Sequence, residues 1–183
     1  PRLAYTWLLI FGALPVMAIG LAQNYETFLI LRLCISVIGA SFVVTQYHTS
    51  LMFAPNVVGA ANATTAGWGN LGGGTTQMLM PLVLAALLSL GFSEALGWRL
   101  AMILPGIALL VMGAAYYLLT QDAPEGSLKQ LKAEGKLAPT LSALKSFKIV
   151  ARNYRVWVLL LLYAASFGVE LTINNVAALY YHD

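Results

Sequence analysis

The stretch AGWGNLGGG, Ala66–Gly74, holds five glycines in eight residues and stands in a long segment without charge. Its Gly67, Gly69 and Gly72 form a G-x-G-x-x-G spacing, which in a soluble protein suggests a dinucleotide site. Such a site needs a preceding strand and an acid placed to bind the ribose. Small, helix-compatible residues precede these glycines, and the next acid, Glu94, lies at the far end of the same apolar segment. We therefore interpret the glycines as part of a helix.

The composition around this stretch is that of a membrane protein. Of the 183 residues, 60% are hydrophobic and only 9% are charged, whereas soluble domains carry about 25% charged residues. A helix needs roughly 20 apolar residues to cross a bilayer. The charge-free segments therefore predict an all-α polytopic membrane protein with five spans, near residues 3–22, 27–53, 57–91, 98–119 and 154–181. The third span is longer than one straight crossing, so its first turns are expected at the membrane interface.

The basic residues predict the orientation in the membrane. Seven of the ten Lys and Arg residues lie between Lys129 and Arg155. The positive-inside rule places this connection, residues 120–153, in the cytoplasm. The net charge of +3 then reflects sorting across the membrane, and we expect no nucleic-acid partner. Two arginines near the other ends of their spans are expected to anchor at the interface: Arg32 and Arg99.

Three parts follow from this pattern. Residues 1–119 are predicted to belong to one helix bundle, 120–153 to form the cytoplasmic loop, and 154–183 to be the first helix of a second bundle. Within the loop, LSALKSFKIVARNYR, 141–155, mixes apolar with basic residues. This segment is either an amphipathic helix on the membrane surface or a solvated linker with one short helix. The chain begins without Met and ends directly after a span, which predicts a fragment of a longer protein.

Helical spacing places small and amide residues on one face of the third span: Ala63, Ala66, Asn70, Gly73 and Gln77. Small residues let transmembrane helices pack closely, which is one explanation of the face. Packing does not account for the two amides, because polar groups inside a bilayer need partners. The alternative is a small planar anion held by an amide and the glycine backbone. Three prolines are predicted to interrupt helices: Pro15, Pro81 and Pro105.

The segment GAANATTAGWGNLGGGTTQMLMP, Gly59–Pro81, closely resembles the nitrate signature of the nitrate/nitrite porter family, part of the major facilitator superfamily. The family pattern is G-x-x-N-A-x-x-x-G-x-G-N-x-G-G-G-x-x-Q. Ten positions match it: Gly59, Asn62, Ala63, Gly67, Gly69, Asn70, Gly72, Gly73, Gly74 and Gln77. Two flanking segments, Gln46–Phe53 and Leu161–Tyr181, resemble helices four and seven of eukaryotic high-affinity members. The resemblance covers the whole chain, as helices three to seven of twelve, and His48 departs from the aromatic residue common there.

The resemblance implies a plasma-membrane porter that transports nitrate and nitrite by alternating access, with proton symport in the eukaryotic branch. Many eukaryotic relatives also need a small accessory membrane protein. The implied substrate residues are Asn70, Gly67, Gly69, Gly72, Gly73, Gln77 and Tyr163. The family's two substrate arginines belong to helices outside this chain, and no arginine lies deep in a span, so this chain alone is not expected to transport. A nitrate sensor and a porter for another small anion remain alternatives.

Glu170 is the only acidic residue well inside a predicted span, and such residues are expensive and commonly functional. It is either a proton-coupling or gating group, or a structural carboxylate bonded to Asn174. Gln46 and His48 are interpreted as capping groups at the inner end of their helix, with a place in the pathway as the alternative. Neither a metal site nor a cofactor is expected, because the two histidines lack ligand spacing, and no catalytic triad suggests an enzyme.

Overall fold

A computed structural model describes residues 1–135 and 142–180 of the chain. Within these ranges, five helical segments are long and apolar enough to cross a membrane: Arg2–Leu21, Tyr25–Met52, Val58–Ser89, Glu94–Leu119 and Tyr154–Ile173. The predicted all-α membrane fold with five such helices is therefore confirmed. The chain divides into two compact units, residues 1–136 and 137–183. The assignment of these parts to two bundles joined by a cytoplasmic loop stays a prediction.

The first unit contains seven α-helices in its described part. They are α1 (Arg2–Ala18), α2 (Tyr25–Ser36), α3 (Ala40–Met52), α4 (Val58–Ser89), α5 (Glu94–Ala101), α6 (Ile103–Leu119) and α7 (Leu128–Ala133). Short 3₁₀ turns extend α1 over Ile19–Leu21 and join α2 to α3 over Val37–Gly39. Helices α2 and α3 thus make the second membrane-length segment, and α5 and α6 make the fourth.

Helix α2 begins at a capping box formed by Asn24 and Thr27. The Asn24 side-chain oxygen accepts a hydrogen bond from the Thr27 backbone N–H at 2.8 Å, and the Thr27 hydroxyl faces the Asn24 backbone N–H at 3.4 Å. These contacts satisfy N–H groups that a helix start leaves free. The turn between the first two membrane segments is therefore set locally by sequence.

The three predicted helix breakers behave differently. Helix α5 ends at Ala101, four residues before Pro105, and α6 starts at Ile103, two residues before it. Pro105 has no N–H to donate to the carbonyl four residues earlier, and its ring crowds that carbonyl. Pro15 and Pro81 lie inside helices that continue through them. Only Pro105 therefore coincides with a separation between two described helices.

Helices α1 and α6 make the most extensive helix–helix contact of the first unit. Leu9, Ala13 and Val16 of α1 are buried. A Cβ placed on Gly113 of α6 would lie 3.2 Å from the Cγ1 atom of Ile10, and one on Gly106 would lie 3.4 Å from the Ala13 carbonyl oxygen. Glycines thus bring these two backbones together, as small residues do in membrane helices.

Arg99 ties α5 to the end of α1. Its Nη2 atom donates to the Ala22 carbonyl at 3.3 Å. A Cβ on Gly20 would stand 2.9 Å from the Arg99 carbonyl oxygen, so the two backbones touch directly. Arg99, predicted as an interface anchor, also fastens two helices of the first unit.

Helix α4 is one continuous α-helix of 32 residues. At 1.5 Å per residue it is roughly 48 Å long, which exceeds the hydrocarbon thickness of about 30 Å. It must therefore tilt or extend beyond the hydrocarbon. The expectation that its first turns lie at the interface stays a prediction.

The second unit contains α8 (Ala143–Ala151) and α9 (Tyr154–Tyr180). The hydroxyl of Ser142 accepts a hydrogen bond from the Lys145 N–H at 3.4 Å and caps α8. The indole N–H of Trp157 donates to the Ala151 carbonyl at 2.8 Å. This bond joins the end of α8 to the first turn of α9.

The contact between Gly20 and Arg99 gives a stability prediction. We expect Gly20→Ala to destabilise the full-length protein by about 1–3 kcal/mol, because the new methyl group meets backbone atoms that cannot move aside. Gly97→Ala is the matched control, since the nearest atom there is the end of the Leu84 side chain at 3.0 Å. Thermal unfolding in detergent measures both. Equal melting temperatures for the two variants would show that the contact is not tight.

Candidate functional site

Helix α4 has a packed side and a side of bulky apolar residues. The packed side contacts α3 and α5 and holds the less exposed residues, among them Asn62, Met80, Leu84 and Leu87. The other side carries bulky apolar side chains, such as Trp68 and Met78, which are 72% and 75% exposed. At about 100° per residue, Gln77 and Asn70 lie roughly 20° and 40° from Leu84, at the edge of the packed side. Both amides are exposed in the part of the chain that the structure describes.

The glycine run of α4 is open in the part of the chain that the structure describes. A Cβ added at any of its glycines would meet no atom within 4 Å: Gly59, Gly67, Gly69, Gly72, Gly73 and Gly74. The glycines of α6, in contrast, lie against α1. Between the two explanations of the small-residue face, packing therefore operates on α6 and not, within the described chain, on α4.

The helix brings only some of the predicted substrate residues together. Gly67, Gly73 and Gln77 lie within roughly 60° of Asn70 around the helix axis. Gly69 and Gly72 lie roughly 100° and 160° away. We call the side formed by Asn70, Gln77 and the neighbouring glycines the amide side. A substrate role for all four glycines stays a prediction.

Three threonine hydroxyls of α4 are satisfied within the helix, whereas the two amides are not. The hydroxyls of Thr65, Thr75 and Thr76 donate to carbonyls four residues earlier, at 2.8–2.9 Å. The backbone N–H groups bond within the continuous helix. The exposed side chains of Asn70 and Gln77 have no hydrogen-bond partner among the described residues. Each amide therefore offers two N–H donors to a ligand.

Asn62 has a different role from Asn70, although both belong to the signature. Its side-chain Nδ2 atom donates to the Ser50 hydroxyl at 2.9 Å, and its backbone carbonyl oxygen accepts a hydrogen bond from Gln46 Nε2 at 3.4 Å. These bonds join α4 to α3. Gln46, interpreted from sequence as a cap, thus links two helices.

His48 is buried and links α3 to the end of α6. It lies at the end of the unit where α1 begins. Its side chain is 6% exposed, its Nε2 atom lies 2.7 Å from the Gln121 carbonyl oxygen, and its other ring nitrogen bonds the Tyr116 hydroxyl. It lines a cavity of about 620 Å³ together with Arg2 and Thr120. Sequence pattern missed this role, because the partners are 68 and 73 residues away.

Asp122 lies near this cavity, beyond the end of α6. The Arg2 backbone N–H donates a hydrogen bond to the Asp122 carboxylate at 3.0 Å. The Arg2 guanidinium donates to the Thr120 carbonyl at 3.2 Å. These two bonds hold the end of α6 against the start of α1.

Tyr163 and Glu170 of α9 are seven residues apart and share one side of that helix. The Tyr163 ring is 54% exposed and stacks on Phe167, with ring centres 5.6 Å apart and an angle of 11°. Glu170 is exposed within the second unit. Its predicted partner, the Asn174 side chain, lies outside the described residues. Tyr163, Phe167 and Glu170 thus lie on one side of α9, and the roles of Tyr163 and Glu170 stay predictions.

Comparison with known proteins decides the family. The family described as Major Facilitator Superfamily matches residues 1–183. The chain belongs to the major facilitator superfamily. This is a superfamily of transporters rather than an enzyme class, and the membrane-length helices agree with an integral membrane protein.

Several proteins similar to this chain are named as nitrate transporters. It is 38% identical to "High-affinity nitrate transporter 2.3" of Oryza sativa subsp. japonica, over the whole chain and 35% of that protein. It is 36% identical to "Nitrate transporter 2.2" of Chlamydomonas reinhardtii, over the whole chain and 36% of that protein. "Nitrate/nitrite transporter NrtP" of Nostoc punctiforme is 36% identical over 80% of the chain and 29% of that protein. The predicted resemblance to the nitrate/nitrite porters is confirmed.

The chain spans about a third of the length of the curated relatives it matches. No solved structure matches it.

The two signature asparagines should separate in a stability measurement. We expect Asn62→Ala to destabilise the full-length protein by about 1 kcal/mol, because it removes a hydrogen bond between α3 and α4. Asn70→Ala should leave the melting temperature of the ligand-free protein unchanged. Thermal unfolding in detergent, in a buffer without nitrate or nitrite, checks both. Equal losses in the two variants would instead assign Asn70 to helix packing.

Proposed function

We propose that this chain is part of a porter that moves nitrate, and also nitrite, across a membrane by alternating access. The names of the relatives support the substrate. The observation on this chain that carries the proposal is the amide side of α4, where two amides lack partners among the described residues and the glycines leave space. A porter for another small anion would use the same groups, so the substrate itself needs a transport experiment.

The chemistry of the amide side suits a small planar anion. Each oxygen of nitrate accepts hydrogen bonds, and the side-chain NH2 groups of Asn70 and Gln77 can donate them. Neither amide carries a positive charge. Glycine lets an anion approach the helix closely, since no side chain stands between them. We propose that Asn70 and Gln77 orient the anion and that Gly67 and Gly73 make room for it. Gly69 and Gly72 are proposed to help as part of the same signature, and the charge is balanced by arginines elsewhere in the porter.

Transport against the membrane potential needs a coupling ion. Moving one negative charge inward against about 100 mV costs about 2.3 kcal/mol. Two or more protons per nitrate would make the cycle favourable, and we propose proton symport for this reason. Glu170 is proposed as the proton-coupling group because it is an acid within a membrane-length helix. Tyr163 is proposed as an anion contact on the basis of the family resemblance.

Bundle rocking around a midplane site would alternate access. The glycines of α4 would let an opposing helix approach closely in the closed states. We place the porter in the plasma membrane with residues 120–153 in the cytoplasm, in agreement with the positive-inside rule. A small accessory membrane protein is proposed as a further partner.

Asn70→Ala is the first test. Loss of a hydrogen bond to a charged ligand costs about 1.5–3 kcal/mol, so we expect nitrate uptake at low concentration to fall about 10- to 150-fold. The full-length protein is expressed, with and without an accessory partner, in a host that lacks nitrate transport. Thr75→Val is the matched control, because its hydroxyl bonds only to the Leu71 carbonyl of its own helix and its uptake should be unchanged.

The outcomes separate the competing functions. Nitrate binding by the parent protein without net uptake would identify a sensor. Uptake that another small anion blocks more strongly than nitrate and nitrite would identify a porter of different specificity. Normal uptake by Asn70→Ala at normal surface expression would remove the amide side from the pathway.

Glu170→Gln tests proton coupling. If Glu170 carries the proton, uptake by the parent declines as external pH rises, and uptake by the variant loses that dependence. Uptake measured from pH 5 to pH 8 shows the difference. Glu94→Gln, at the exposed start of α5, is the control and should keep the parent profile. A Glu170→Gln profile identical to that of the parent would leave this residue a structural role only.

A further inference from the structure

Helix α8 carries two different faces on nine residues. Leu144, Phe147 and Val150 recur at intervals of three and form an apolar face. Lys145 and Lys148 of α8, together with Arg152 directly after its last residue, form a basic face on the other side of the helix. Leu144 is 68% exposed and Phe147 is 66% exposed. Within the second unit, therefore, nothing in the described residues covers the apolar face.

Ile149 of α8 lies on the side of the lysines and not on the apolar face. It is roughly 160° from Phe147 around the helix axis. Leu141, the first residue of the segment, lies outside the described residues. The apolar face of α8 is therefore limited to the side of Leu144, Phe147 and Val150.

The position of α8 follows from its attachment to α9. Only Arg152 and Asn153 separate α8 from the start of α9 at Tyr154. The Trp157 indole, in the first turn of α9, donates to the carbonyl of the last α8 residue at 2.8 Å. Tyr and Trp at the start of a transmembrane helix sit at the level of the lipid headgroups. The hydrogen bond therefore holds the last turn of α8 at that level.

We propose that α8 lies in the membrane surface where α9 begins and binds anionic phospholipid headgroups. Its apolar face enters the boundary between headgroups and acyl chains, and its three basic side chains meet the phosphates. Charge complementarity selects the anionic lipid, since each Lys or Arg near such a surface raises the binding constant about fivefold. A solvated linker would leave the apolar face of Leu144, Phe147 and Val150 in water.

The proposed lipid contact involves only α8 and the first turn of α9, so it does not depend on nitrate transport. It corresponds to the surface helix, the first of the two interpretations that the sequence leaves open for residues 141–155.

Site-specific spin labels test the placement. The full-length porter, with Cys34 and any other cysteines replaced, carries Phe147→Cys or Ile149→Cys and a nitroxide label. It is reconstituted in vesicles of phosphatidylcholine and phosphatidylglycerol at a ratio of seven to three. We expect the Phe147 label to be accessible to oxygen and shielded from a water-soluble nickel chelate, and the Ile149 label to show the opposite. Neither label removes a charge, so the electrostatic contribution stays intact.

Charge variants test the lipid class. In the same vesicles, Lys145→Gln with Lys148→Gln should lower the ratio of docked to undocked α8 about 25-fold, at about fivefold per charge. The control pair Lys129→Gln and Lys132→Gln removes the same charge from α7 and should leave the ratio unchanged. Pure phosphatidylcholine vesicles should lower docking of the parent protein.

Three results would each overturn the proposal. Equal nickel access to both labels in the anionic vesicles would identify a solvated linker. Shielding of both labels from oxygen and nickel would show that α8 packs against protein. Docking of the same strength in pure phosphatidylcholine would show that lipid charge has no part in it.

Discussion

The requirement that polar groups find partners in the bilayer orders the first unit. Thr65, Thr75 and Thr76 of α4 bond to their own backbone. Asn62 bonds across to α3, and His48 links α3 to the end of α6. The exposed amides of Asn70 and Gln77 on α4 have no partner among the described residues. Such amides in a membrane need a ligand or another helix.

Sequence alone predicts the features that depend on length and periodicity. Hydrocarbon thickness sets how many apolar residues a span needs, so the charge-free segments predict the five membrane-length helices. The same holds for the side of α4 that carries Asn70 and Gln77, because seven residues make nearly two full turns. The glycine signature adds the family, since ten spaced positions are far more specific than a glycine-rich composition.

Features that depend on distant neighbours escape sequence reasoning. Asn62 and Asn70 belong to one signature, yet eight residues rotate them by roughly 80°, and only the position of α3 gives Asn62 its partner. His48 meets a carbonyl 73 residues away, which no local pattern indicates. The prolines show the same limit: whether a helix continues past Pro15 or stops before Pro105 depends on how neighbouring segments support the freed carbonyl.

The bonds of Asn62 to α3 also restrict how α4 can move. A helix held on one side by Ser50 and Gln46 cannot spin about its own axis without breaking both contacts. Asn70 and Gln77 lie eight residues or more after Asn62 on the same helix. Their orientation relative to α3 is therefore fixed as long as both bonds are intact. Rotation of α4 about its own axis would change what the two amides face only by breaking both bonds, at a cost of about 0.5–1.5 kcal/mol for each.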